Sequence, residues 1–389
     1  MELLKKVVKM VLGILVGISV GYGSIMLVLW LADGGKPDGG SDSEGLDVGL
    51  LILSVVLAFV WLVVTTLIHL IMHEAGHLIM GLLTGFRFLS FRVFKFTLVK
   101  TDEGLRWKRF HIAGTGGQGL MELPADQDVK TAPWFWYNAG GVLMNLLLAV
   151  VVIVVLRTVS MGIVGFSFFI LLAFVGIIMS LTNGIPMISG GVSNDGNNLL
   201  MLWRRPPLRR FFVRTLQMAG QQSRGRRLTE MPQEWFEDLP VDKHSQYLEV
   251  SNRVNYMALL EDAGRYDEAL AVGEELMSLD KALPTLFRFE VGGERVMLEL
   301  LTQNRAAVVD SLWTRQLSNY TEVNSRFSPL KCAVLFTYEL LHCHNQEKAD
   351  TYRQSLLQHQ NDYTMPGEAR TALNIVEKAQ EVAERITNE

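Results

Sequence analysis

The chain has 389 residues, of which 49% are hydrophobic and 20% charged, with a formal net charge of -4 at neutral pH. So small a charge, with no long basic block interleaved with aromatics, excludes a nucleic-acid partner, and Cys332 and Cys343 are too few for a disulfide-stapled secreted domain, so they read as reduced thiols. Apolar residues concentrate before about position 203 and charged ones after it, so two parts of different solvent preference are expected.

In chain order, Met10 to Ala32 is an uncharged run behind Lys5, Lys6 and Lys9, long enough to cross a hydrocarbon core of about 30 Å. It exceeds a signal-peptide core, and Asp33 follows without a small-residue cleavage site. Gly49 to Gly85 is a second run, holding His69, His73, Glu74 and His77; as a helix at about 1.5 Å per residue it outruns one bilayer, so part of it must tilt, bend or protrude. Pro133 to Leu156 and Met161 to about Leu181 complete four expected crossings. Acidic residues from Asp33 to Asp47 fill the first loop, whereas Arg87, Arg92 and Lys95 follow the second span and Arg204, Arg205, Arg209 and Arg210 the fourth. That bias predicts a cytosolic N-terminus and a cytosolic C-terminal domain. Between the second and third spans, Phe86 to Phe96 alternates apolar and polar residues, as does Trp107 to Ile112 after Thr101-Asp102-Glu103-Gly104. A β-hairpin at the membrane surface is expected, either a sheet edge that holds substrate as an added strand or a plain connector.

His73-Glu74-Ala75-Gly76-His77 is an HExxH sequence within a helical run, so its imidazoles share a face and can bind one zinc ion, with Glu74 beside them as general base. In an apolar helix such groups are expensive unless paired, metal-bound or wetted. A catalytic zinc needs a third ligand, and Asp195 is the first charge after a long uncharged stretch, in a Gly- and Pro-broken segment that can fold back; the alternative is that it marks the cytosolic end of the fourth span. His69, one turn before His73, reads as a spare ligand, as a donor supporting a ligand, or as packing. Gly114 to Gly119 lacks phosphate-loop spacing and reads as a flexible loop near the site's entrance.

HEAGH in a span, then Asn138-Ala139-Gly140-Gly141 with Asn145, then Asn183-Gly184-Ile185-Pro186 and a later Asp195-Gly196, resembles the site-2 protease family of intramembrane metalloproteases over about residues 49 to 200. The resemblance implies His73, His77 and Asp195 as zinc ligands, Glu74 as catalytic base, and Asn145 and Asn183 as polar helpers near the substrate. Ser189, Gly190 and Gly191 lengthen the stretch before the aspartate relative to many members.

Beyond Arg204, Leu208 to Leu216 mixes arginines with Phe211 and Phe212, as an interfacial helix on the cytosolic leaflet does. From about Val241, turn sites at Gly264, Asn304 and Asn345 recur at the scale of helix pairs, and Leu260 to Leu270 resembles a tetratricopeptide turn. Stacked pairs would offer a concave surface to a protein partner; a bundle without a groove is the alternative. His342, Cys343 and His344 point in different directions on a helix and are read as structural.

The expected fold is therefore mainly α: a polytopic transmembrane helical bundle with a small β-hairpin insertion over 1–203, a basic interfacial linker over 204–240, and a cytosolic helical-repeat domain over 241–389. The expected function is zinc-dependent hydrolysis of a peptide bond in a membrane-embedded protein or peptide. The alternatives are a non-catalytic membrane scaffold whose repeats bind partners, and an anchored protease acting on soluble peptides.

Overall fold

The computed structural model describes residues 48–101, 104–109, 117–189, 192–360, 362–363 and 365–388. The first predicted span, Met10 to Ala32, and the acidic loop after it lie outside the described residues.

Thirteen α-helices carry most of the described chain, with one small four-stranded sheet. Helix α1 (Val48–Leu83) is 36 residues of almost unbroken apolar sequence, about 54 Å at 1.5 Å per residue, longer than a hydrocarbon core. It stops because Gly85 adopts φ +98 while Phe86 N–H and Gly85 N–H return to the carbonyls of Gly81 and Leu82, the paired closure that a left-handed residue permits at a helix end. Helices α2 (Trp134–Thr158) and α3 (Ile163–Gly184) pack on α1 and on each other. All three are long and apolar enough to cross a membrane, and their outer faces leave Phe59, Leu147, Val154 and Ile170 open. At the α1–α2 crossing, a Cβ on Gly76 would stand 2.3 Å from Gly140 O, and one on Gly140 2.4 Å from Gly76 O. The two backbones touch there, as small residues allow between apolar helices.

The predicted hairpin is a four-stranded antiparallel sheet: β1 (Arg87–Val93), β2 (Phe96–Thr101), β3 (Gly104–Arg109) and β4 (Gly117–Glu122), in the order β3-β2-β1-β4. The segment expected as one strand, Phe86 to Phe96, turns at Phe94 and Lys95, with Phe94 at φ +53. No glycine, asparagine or proline marks that turn. Gly117, Gln118 and Gly119, expected in a flexible loop, open β4 and lie along α1; the rest of that loop, 114–116, is outside the described residues.

After α3 a two-residue hairpin, β5 (Ile188–Ser189) with β6 (Val192–Ser193), sends the chain back into helix α4 (Asp195–Arg204), which packs on α2 and α3. The predicted interfacial stretch forms α5 (Arg209–Ser223), but Phe211, Val213 and Leu216 are buried against the protein, beside Phe86, Met121 and Leu202, rather than left open to a leaflet.

The charged half is helical throughout its regular elements: α6 (Tyr247–Asp262), α7 (Tyr266–Ser278), α8 (Thr285–Leu301), α9 (Ala306–Leu312), α10 (Arg315–Asn324), α11 (Pro329–Leu341), α12 (Gln346–His359) and α13 (Pro366–Asn388). Helix α6 packs on α7 and α7 on α8, as stacked pairs do. The turns at Gly264 (φ +72) and Asn304 (φ +48) are left-handed; at the third site the left-handed residue is His344, and Asn345 caps α12 by accepting from Lys348 N–H. The long amphipathic α13 lies across α6, α8 and α11, with Ala372, Ile375 and Ala379 fully buried.

Candidate metal centre

Helix periodicity sets His69, His73 and His77 on one face of α1 over successive turns, and all three are buried. Asp195, the first residue of α4, arrives opposite them. Its Oδ2 stands 3.1 Å from His73 Nε2 and 3.4 Å from His77 Nε2, and the two Nε2 atoms are 3.2 Å apart. These contacts satisfy the distance for ion pairs, yet Asp195 Oδ2 is shut from solvent with no well-directed hydrogen bond. One oxygen shared between two rings is not how a carboxylate pairs with a protonated imidazole. It is how three ligand atoms surround an ion, since tetrahedral zinc ligands at about 2.0–2.1 Å stand about 3.3–3.4 Å from each other. Among the described residues, this is the group of histidine, cysteine and carboxylate side chains close enough to share a metal.

Main-chain and small-residue contacts aim each ligand. His77 Nδ1 lies 2.7 Å from Tyr137 O and His73 Nδ1 lies 3.4 Å from the Asn145 amide. A Cβ on Gly141 would stand 2.5 Å from both His73 Cε1 and His77 Nε2, so α2 seats the rings only because that residue is glycine. Asp195 is delivered by Asn194, whose Oδ1 accepts from Met187 N–H and Asn197 N–H while its Nδ2 donates to Thr182 O and Ile185 O. One of these bonds caps α4, and the other three tie its start to the end of α3 and the residues just after it. Gly196 completes the approach: a Cβ there would lie 2.1 Å from Gly184 O.

Glu74 stands next to the ligand face and does not join the ligand group. Its Oε2 accepts from Gly119 N–H at 2.8 Å, and a Cβ on Gly117 would fall 2.7 Å from its Cγ. Strand β4 lies at the edge of the sheet, and it is from that strand that Gly119 reaches Glu74. Tyr137 joins the two parts, its hydroxyl donating to Gly119 O at 3.0 Å while its carbonyl takes His77.

Of the residues expected here, His73, Glu74, His77, Asp195 and Asn145 converge. The Asn183 Nδ2 donates to Met179 O in its own helix. His69 is fully enclosed between Asn145 and Leu172 O. Away from this centre, His342 pairs with Asp310 and stacks on Tyr338. Sequence reasoning missed Tyr137, Gly119 and Asn194; Gly119 reaches Glu74, and Tyr137 reaches His77, through main-chain atoms that carry no residue signature, whereas the position of Asn194 just before Asp195 was a readable cap signal. Comparison of the chain with models of known protein families, with curated proteins and with solved structures finds no match.

Proposed function

We propose that the chain is an intramembrane zinc metalloprotease of the site-2 protease type, hydrolysing a peptide bond of a membrane-embedded protein or peptide near the cytosolic side. The observation that carries this reading is the single Asp195 oxygen set 3.1 and 3.4 Å from two imidazole nitrogens, beside a carboxylate, Glu74, that the ligand group leaves free. His73, His77 and Asp195 would hold the zinc, which when bound supplies Lewis acidity, polarising the scissile carbonyl and lowering the pKa of the attacking water to about 7. Glu74 accepts that water's proton and returns it to the departing amine. Gly119 N–H fixes the Glu74 carboxylate in the meantime, so the base is oriented before substrate arrives. At Gly119 the outer edge of β4 is already engaged, its N–H by Glu74 and its carbonyl by Tyr137, so an extended substrate would add as a strand only beyond that residue. Three apolar helices, an apolar outer face and arginines after α3 support a polytopic protein whose helical half faces the cytosol.

The test is cleavage of a transmembrane peptide in liposomes. Chelation should abolish it, zinc should restore it, and Glu74→Gln should lower kcat by about 10²- to 10⁴-fold at unchanged zinc content. Undiminished cleavage by Glu74→Gln would overturn the mechanism. Cleavage of water-soluble peptides alone would replace the intramembrane reading with that of an anchored protease.

A further inference from the structure

His69 lies on the same face of α1 as the ligands and is excluded from them, wholly enclosed, with both ring nitrogens engaged. Its seat is built for it: a Cβ on Gly176 of α3 would stand 2.4 Å from His69 Cε1. We propose that His69, acting through Asn145, is a positioning residue that fixes which nitrogen of His73 carries the proton, and so keeps a lone pair on His73 Nε2 for the metal. The inference rests on the reading of His73, His77 and Asp195 as zinc ligands.

The proton order follows from the partners. His69 Nε2 lies 2.8 Å from Leu172 O, which can only accept, so Nε2 carries a hydrogen. A neutral imidazole then has a bare Nδ1, which must accept. As placed in the structure, Asn145 Oδ1 lies 3.0 Å from His69 Nδ1 and Asn145 Nδ2 3.4 Å from His73 Nδ1. With its oxygen toward His69, both His69 nitrogens would have to donate, leaving an imidazolium enclosed among apolar helices with an amide and a main-chain carbonyl as its only hydrogen-bond partners. The amide N–H would also occupy His73 Nδ1 and force that ring's hydrogen onto Nε2, against Asp195. Amide oxygen and nitrogen have nearly the same shape, so their partners decide the orientation. Turned the other way, the amide satisfies every group: Asn145 Nδ2 donates to His69 Nδ1, Asn145 Oδ1 accepts from His73 Nδ1–H, and His73 Nε2 is left bare.

His77 needs no such relay, because Nδ1–H meets the Tyr137 carbonyl directly at 2.7 Å, an acceptor that cannot turn round. An amide can. The lone pair of His69 Nδ1 captures the amide N–H and holds its oxygen toward His73.

Two measurements on the full-length protein in detergent test the relay. Nitrogen-15 spectra of histidine-labelled, zinc-free protein should show His69 neutral and protonated on Nε2, its signals identified by their loss in His69→Phe. Competition with a zinc chelator should give His69→Phe a Kd raised about 10- to 100-fold, while His69→Gln, whose amide can donate to Leu172 O and accept from Asn145, stays within about threefold of the parent. A His69 proton on Nδ1, or zinc binding by His69→Phe as tight as the parent's, would overturn the relay. Should His69→Phe misfold, the loss of the same signals in His69→Gln identifies them, and the proton order is still read from the unsubstituted protein. Protein that shows the expected proton order and zinc affinities yet cleaves nothing would sink the protease reading and leave the relay standing.

Discussion

The oxygen of Asp195 that faces two imidazoles makes the site sensitive to changes of one or two atoms. Asp195→Asn keeps the shape but removes the charge, and should weaken zinc binding by at least about 100-fold in a chelator competition. Gly141→Ala should act on the same readout from the other side: its methyl would enter the space of both rings, and an affinity equal to the parent's would show that the rings can move aside. The histidines and Glu74 were legible because four-residue spacing in a helix is itself a geometry. Asp195 stood out as the first charge after an uncharged stretch, but its arrival depends on Asn194 and on a glycine contact at Gly184 that spacing does not encode. Asn183, which the Asn-x-x-Pro pattern singled out, bonds its own helix instead.

Strand β4 and helix α1 meet across glycine: a Cβ at Gly117 would stand 2.7 Å from Glu74 Cγ and 2.8 Å from its Oε1, so a side chain there would displace the Glu74 arm. Gly117→Val should push the Glu74 side chain away from Gly119 and cut kcat at least about tenfold, with zinc content unchanged. Equal effects on kcat and zinc content would point to a broader collapse of the centre. Apolar runs made α1, α2 and α3 readable to within a few residues, since long uninterrupted apolarity has few structural solutions. The sheet was half legible: alternation announced strands, but the turn at Phe94 and Lys95 uses residues with no turn preference, so the strand was read through the turn to Phe96 and β2 beyond it was not read. The pairing of β4 with β1 crosses residues 94–116, and pairings distant in sequence leave no local trace.

Across the whole molecule, the helical half encloses charge as well as apolar surface. Lys331 meets Glu290 at 2.6 Å and Glu294 at 3.5 Å, with Glu261 near them lacking any hydrogen-bond partner and Glu368 contributed by α13. Burial, opposed in part by Lys331, pushes Glu294 up to about 7 and Glu368 up to about 8. Both folded values lie above the ordinary carboxyl value, so the stability these groups allow is fully present below about pH 4.5 and is lost as pH rises through about 7 and 8. Hydrogen-exchange protection of α8, α11 and α13 in the full chain, corrected for intrinsic rates, should therefore fall between pH 5 and 9. Glu368→Gln should flatten that fall and leave the variant more stable than the parent at pH 9. A steeper fall in the variant would refute the assignment. Helix pairs were legible from turn spacing; the placement of α13 across α6, α8 and α11 was not, because an amphipathic stripe tells that a helix is covered without telling by what. One last consequence belongs to Gly76 and Gly140. Their backbones meet one residue from the ligand His77, so α1 and α2 form a closed wall with no seam there for a passing chain. Whatever approaches Glu74 therefore does not pass between α1 and α2 at that crossing.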